Sequence, residues 1–143
     1  MKDIVKIFVD SDAFVAFAVK TDAHHEKASS LLNRLQINHT QFLTSNYVFS
    51  ESITVISQRS AHKTAIKYIE EMQSSESPFQ IERVDEAIEE KALQIFKKQT
   101  SKNTSFVDCT NMAFLQNMHL DAIFSFDEVY KKNGFQTVES LVN

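Results

Sequence analysis

Four acidic side chains stand out because strand-like runs or apolar helical patterns surround them: Asp10, Glu51, Asp108 and Asp127. The histidines show no metal-ligand spacing, so a site built from these acids would offer oxygen ligands. Oxygen ligands of this type favour Mg²⁺ or Mn²⁺ over Zn²⁺. Such ions activate water and stabilise charge on a phosphodiester during in-line displacement. If the four acids meet, their types therefore favour phosphoryl chemistry at one or two divalent cations.

Each of these positions also has an ordinary structural explanation that the sequence leaves open. Asp10 and Asp127, at strand ends, could cap the helices that follow. Glu51 lies about 40° outside the apolar arc of its helix and could be a solvated boundary residue. Asp108 lies near a helix start, where the helix dipole stabilises an acid by about 0.3 to 1 kcal/mol. A shared cation would explain all four positions at once, because a buried carboxylate without a partner costs several kcal/mol.

The elements that would position these acids alternate along the chain. Short β-branched or aromatic runs predict strands at residues 4–9, 42–44, 79–84 and 122–125. Helical patterns lie between or after them, at residues 22–36, 46–58, 61–73, 85–99 and 105–119. This alternation is typical of parallel βαβ units, and it predicts an α/β sandwich with a central parallel sheet. In such sheets functional groups collect just past the carboxyl ends of the strands, where Asp10 and Asp127 fall.

The sequence contains few residues that break helices or strands. Residues 74–78 are predicted to form a loop, and Gly134 is predicted to end a short helix. No repeat of fixed period and no low-complexity segment interrupts the pattern. The length of 143 residues predicts a single domain over residues 1–143.

Composition excludes several classes of protein. Hydrophobic residues make up 43% of the chain and charged residues 24%, which excludes disorder, and one Gly with one Pro excludes collagen-like structure. The 12 Phe residues predict an aromatic core. The single cysteine, Cys109, cannot form a disulfide within the chain and favours a reducing, cytoplasmic compartment. It is interpreted as a small core residue, because no Cys/His/Asn set accompanies it. The apolar stretches near the N-terminus are too short for a membrane span, and we expect no membrane association.

Charge does not decide between partners. The net charge of −4 argues against a broad, sequence-independent nucleic-acid surface, yet two bound divalent cations would cancel it. Arg59 is the strongest candidate for holding a phosphate, because it ends the helix that carries Glu51. The other candidates are lysines, for which simple solvation is the alternative: Lys63, Lys67, Lys97, Lys98, Lys102, Lys131 and Lys132.

The remaining polar and aromatic residues carry weaker signals. His24 and His25 diverge by about 100° on a helix, so they cannot hold one ion together and are interpreted as surface or capping residues. The Phe residues keep core periodicity, and none is indicated for base stacking. The amphipathic helices at 22–36 and 61–73 could form a clamp, a dimer face or plain core.

Three segments and one helix carry a resemblance to a known family. The segments are FVDSDA at 8–13, SFVDC at 105–109 and FSFD at 124–127, and Glu51 lies in an apolar helix between the first two. In this order and context they resemble the PIN-domain ribonucleases, most closely the VapC-type toxins of toxin–antitoxin pairs. The resemblance covers nearly the whole chain.

The resemblance implies a three-layer α/β/α sandwich with a central parallel sheet and an acidic pocket that holds Mg²⁺ or Mn²⁺. Asp10, Glu51, Asp108 and Asp127 correspond to the metal-binding acids. Ser11 corresponds to the hydroxyl residue that often follows the first acid, and it is a candidate substrate contact beside Arg59. It further implies endonucleolytic cleavage of RNA to 5′-phosphate and 3′-hydroxyl ends, a small antitoxin protein and a homodimer. Two alternatives stay open, a nuclease of RNA maturation and a catalytically silent binding module.

The sequence departs from the family's pattern at Asp12, where many members have a small neutral residue. Asp12 could be a helix cap or an additional acid near the site, and we favour the cap.

Overall fold

The computed structural model describes residues 4–142. Within them the elements follow in the order β1 (Val5–Val9), α1 (Ser11–Ala18), α2 (His25–Ile37), β2 (Thr40–Ser45), α3 (Asn46–Arg59), α4 (His62–Gln73), β3 (Phe79–Glu82), α5 (Glu86–Lys97), α6 (Phe106–Asn117), β4 (Ala122–Phe124), α7 (Val129–Lys132) and a 3₁₀ helix (Val138–Leu141). The predicted strands and helices are confirmed with shifted boundaries. The prediction assigned no helix to α1, because Ala13–Ala16 are all buried and give no amphipathic period.

The four strands form one sheet in the order β3-β2-β1-β4, and all neighbours pair in parallel. This confirms the predicted parallel sheet. Ile7 of β1 pairs with Phe42 of β2 and with Ala122 of β4, so the carboxyl ends of the central strands reach the same edge. The turns after β1 and β4 therefore leave the sheet side by side.

Aromatic side chains show why helices cover both faces of the sheet. Phe8 of β1 stacks on Phe114 of α6, with ring centroids 5.4 Å apart. On the other face Phe79 of β3 lies against Phe42 of β2 and, at 5.0 Å, against Phe14 of α1. Successive side chains of a strand point to opposite faces of the sheet, so one strand can pack against the helices of both layers. The predicted α/β/α sandwich with an aromatic core is confirmed.

The smaller predictions have mixed outcomes. Gly134 adopts a φ of +85° just after α7, which confirms the predicted helix stop, and residues 74–78 form the loop before β3. Cys109 is fully buried in α6, as interpreted, and burial raises the pKa of its thiol to about 11. Of the three alternatives for the two amphipathic helices, plain core holds for Leu31 and Leu35 of α2 and for Ala65 of α4, whereas Ile66 of α4 is exposed. Within residues 4–142, no helix is long and apolar enough to cross a bilayer.

Candidate active site

Asp10 is the most buried of the candidate acids, with 6% of its surface exposed. It follows β1 directly and is the N-cap of α1. Its Oδ1 accepts hydrogen bonds from the Ser11 backbone N–H at 2.7 Å and from Asn111 Nδ2 at 3.1 Å. Its Oδ2 accepts from the Tyr130 hydroxyl at 2.6 Å. Burial, and then the charges of Asp12 and Asp108, raise the pKa of Asp10 from 3.8 to about 7. The capping explanation therefore holds, and yet this carboxylate makes no ion pair with any of the described residues.

Tyr130 and Asn111 were not identified from the sequence, although they link the acids. Asn111 Nδ2 donates to Asp10 and, at 3.0 Å, to the Tyr130 oxygen, while its own Oδ1 is buried and has no partner within residues 4–142. The Tyr130 hydroxyl also lies 3.3 Å from Asp108 Oδ1. Burial and the two acids raise the pKa of Tyr130, so the phenol keeps its proton. That single proton serves the shorter contact to Asp10 and leaves Asp108 Oδ1 without a donor from Tyr130. The available signal was Asn111, which is polar and one turn after Asp108 in an apolar helix.

Asp108 lies in the first turn of α6, half-buried. It forms a capping box with Ser105, in which Asp108 Oδ2 accepts from the Ser105 backbone N–H at 2.9 Å and the Asp108 N–H donates to Ser105 Oγ at 3.0 Å. Burial raises the pKa of Asp108, and the charge of Asp127 adds to this, against the lowering effect of Ser105. One carboxylate oxygen thus caps the helix, and the other faces Tyr130 and Asp10.

Asp127 lies in the turn after β4 and is exposed. Its Oδ1 accepts from the Val129 backbone N–H at 2.9 Å, so it stabilises the start of α7. Its negative charge nevertheless acts on two neighbouring acids, because it raises the pKa values of Asp12 and Asp108. Asp127 therefore belongs electrostatically to the cluster that Asp10 and Asp108 form.

The interpretation of Asp12 as a helix cap is wrong. Asp10 caps α1, and Asp12 lies inside the helix with its carboxylate directed at the exit of β4. Asp12 Oδ2 accepts from the Phe126 backbone N–H at 2.7 Å and from Ser125 Oγ at 3.1 Å, while its Oδ1 is buried and unpartnered among the described residues. Burial raises the pKa of Asp12. Asp12 thus ties the first turn of α1 to the turn that carries Asp127.

Glu51 and the two predicted substrate contacts lie at the margin of the cluster. Ser11 Oγ donates to Glu51 Oε1 at 2.5 Å, so the exposed Glu51 joins the cluster through Ser11. Arg59 Nη1 pairs with Asp22 Oδ2 at 2.8 Å. Substrate binding by Ser11 and Arg59 stays a prediction, and Arg59 already has one carboxylate partner.

The negative charges and carboxylate oxygens of this acidic cluster fit a hydrated divalent cation. None of the ion pairs found within residues 4–142 includes Asp10, Asp12, Glu51, Asp108 or Asp127. In the same part of the chain, no three His, Cys, Asp or Glu side chains converge tightly enough to hold an ion alone. Mg²⁺ keeps several waters and takes few protein carboxylates together with substrate phosphates. A loose, uncompensated set of oxygens suits that ion better than a closed protein cage would.

The PIN domain family matches residues 7–136, a range that includes all four candidate acids. The chain belongs to the PIN-domain family. The resemblance seen in the sequence is thereby confirmed. The assignment of residues 1–143 to one domain stays a prediction, since residues 1–3 and 143 lie outside the described structure.

Proteins of known activity are similar to this chain over nearly their full length. The chain is 27% identical over 132 residues to the 23S rRNA-specific endonuclease VapC20 of Mycobacterium tuberculosis, covering 92% of this chain and 97% of that protein in each of two strains. The crystal structure of M. tuberculosis VapC20, described as a toxin that cleaves the sarcin–ricin loop, superposes with a TM-score of 0.80 at 26% identity. That similarity covers 90% of this chain and 95% of the solved one. The likeness thus extends over nine-tenths of this chain.

Proposed function

We propose that this protein is a Mg²⁺- or Mn²⁺-dependent endoribonuclease of the VapC type. Its metal-binding and catalytic residues are Asp10, Glu51, Asp108 and Asp127. The observation that carries the proposal is the buried Asp10, which lies beside Asp108 and makes no ion pair with a cationic side chain of residues 4–142, and whose pKa is raised to about 7. Such a pair is unfavourable unless a cation or a proton joins it. Membership of the PIN family and similarity to VapC20 support RNA as the substrate.

The side chains of this site have separable tasks. A bound divalent cation would supply Lewis-acid stabilisation of the phosphate and lower the pKa of an attacking water. Asp10 presents oxygens that Ser11, Asn111 and Tyr130 fix in place. Tyr130 holds its proton at Oη, so it acts as a donor that orients Asp10 and not as a base.

The outer acids complete the site. Asp108 is oriented by its capping box, and the exposed Asp127 and Glu51 lie where an incoming phosphate backbone can approach. A covalent enzyme intermediate is not proposed, because the buried Cys109 has a raised thiol pKa and is fully enclosed.

An RNase assay with and without metal tests this function. The purified chain should cut RNA in Mg²⁺ or Mn²⁺, leave 5′-phosphate and 3′-hydroxyl ends, and lose the activity in EDTA. Ribosomal RNA containing the sarcin–ricin loop is the first substrate to test, because VapC20 cleaves that loop. Cleavage that persists in excess EDTA, or that leaves 2′,3′-cyclic phosphate ends, would contradict the proposed chemistry.

We further propose that the protein acts as a cytoplasmic toxin, that it forms a homodimer, and that a small antitoxin protein restrains it. Similarity to the VapC20 toxin supports this role. Overexpression of the chain alone should arrest growth, and Asp108→Asn should relieve the arrest. Growth without arrest, combined with metal-dependent RNase activity in vitro, would instead favour a nuclease of RNA maturation. Absence of both activities would favour a silent binding module.

A further inference from the structure

His24 and Phe126 form a stacked pair beside the acids, with ring centroids 4.2 Å apart and ring planes within 4° of parallel. Phe126 immediately precedes Asp127, and its backbone N–H is held by Asp12 at 2.7 Å. The pair therefore takes its position from the same strand exit that carries the acids. Phe126 covers one face of the imidazole, while the His24 side chain remains 51% exposed.

Both rings line an open cleft of about 410 Å³ whose wall also includes Ser11, Asp12 and Asp127. Asp127 is the one proposed metal-binding acid in this lining, so a phosphate held next to Asp127 would have an aromatic surface within the same cleft. Phosphate and base are covalently joined through one ribose, so a nucleotide held at the acids must place a base nearby. Stacking on an aromatic side chain is a common way to hold an unpaired RNA base.

The backbone at His24 is tied to the helix that carries Glu51 through Asp22 and Arg59. Its backbone N–H donates to Asp22 Oδ1 at 2.8 Å, and Asp22 Oδ2 accepts from Arg59 at 2.8 Å. Arg59 ends α3, the helix of Glu51, so the segment before α2 is tied to the scaffold of the site. Lys27 lies 5.9 Å from the centre of the Phe126 ring and adds a cation at the same platform.

We infer that the exposed face of His24, backed by Phe126, is a stacking platform for an unpaired RNA base adjacent to the scissile phosphate. The inference rests on the proposed nuclease function. It makes His24 a positioning residue that selects unpaired RNA at the cut. The alternative is that His24 only shields Phe126 from water.

The test uses a short RNA that carries one cleavage site mapped for the wild-type protein, and a series of copies with one abasic position on either side of the cut. At one abasic position the wild-type kcat/KM should fall about tenfold, which is the scale of one lost base stack. His24→Ala should show about the same tenfold loss on the intact RNA and no further loss at that abasic position. His24→Phe, which keeps a flat ring, should stay within about threefold of wild type.

His39→Ala serves as the matched control, because His39 is exposed just before β2, at the opposite end of the sheet. It should leave every rate unchanged. Equal abasic penalties in wild type and His24→Ala would overturn the platform while leaving the nuclease intact, since a shielding role does not couple to a base. A wild-type protein that cuts no RNA would instead refute the proposed function, and the platform with it. Equal thermal unfolding of wild type and the two His24 variants separates these outcomes from misfolding.

Discussion

Asp108→Asn is expected to lower the rate of RNA cleavage about a hundred- to a thousandfold, because it removes one negative charge where a cation must be held. The substitution should leave the fold intact. An amide oxygen can still accept the hydrogen bond from the Ser105 backbone N–H, so the first turn of α6 keeps its cap. Single-turnover cleavage in Mn²⁺, together with thermal unfolding of both proteins, measures the two effects separately.

Asp121→Asn provides the matched control for this variant. Asp121 also uses its carboxylate to accept a backbone N–H, that of Lys6 at 2.7 Å, but it lies at the start of β4, at the edge opposite to the acids. Asp121→Asn also removes one negative charge, and it should change the rate of RNA cleavage by less than about twofold. If both variants cut RNA at the wild-type rate, Asp108 is a helix cap only, and the proposed site is wrong.

Metal-free protein is expected to lose stability as the pH rises from 5 to 8. The pKa of Asp10 is raised from 3.8 to about 7 in the fold, chiefly by burial. A raised carboxyl pKa means that the folded state binds the proton more tightly than the unfolded state, so its stabilisation is complete at low pH and is lost as the pH climbs towards 7 and beyond. For these two values the free energy of unfolding should fall by about 2 to 3 kcal/mol over this range. Urea unfolding at a series of pH values in EDTA measures the slope.

Asp10→Asn isolates the cause of this slope, because the amide imitates the protonated acid. Its oxygen can accept from Ser11 and Asn111, and its nitrogen can donate to the Tyr130 oxygen, which frees the Tyr130 proton for Asp108. At pH 8 without metal the variant should therefore be more stable than wild type and show a flatter pH profile. Mn²⁺ at about a hundred times its dissociation constant should raise the stability of wild type by about 2.7 kcal/mol and leave the variant almost unchanged. A wild-type profile that is flat, or that rises with pH, would contradict the buried, uncompensated Asp10.

The sequence alone determined the parallel α/β architecture and the strand ends at which Asp10 and Asp127 lie. This was possible because local patterns of apolar residues fix strands and helices, and because parallel connections bring the carboxyl ends of strands to one edge. Helix α1 was not predicted, because its buried residues Ala13–Ala16 are all apolar and show no alternation between an apolar and a polar face.

Only the tertiary structure decided how the acids are held and which partners they have. Asn111 and Tyr130, 19 positions apart, meet at Asp10 through contacts that no local pattern encodes. Asp12 serves the exit of β4 rather than its own helix, and His24 stacks on Phe126 more than a hundred positions away. Types and spacing of residues limit the chemistry that a chain can perform. The burial of the acids, their hydrogen-bond partners and the stacked rings arise only when distant segments pack together.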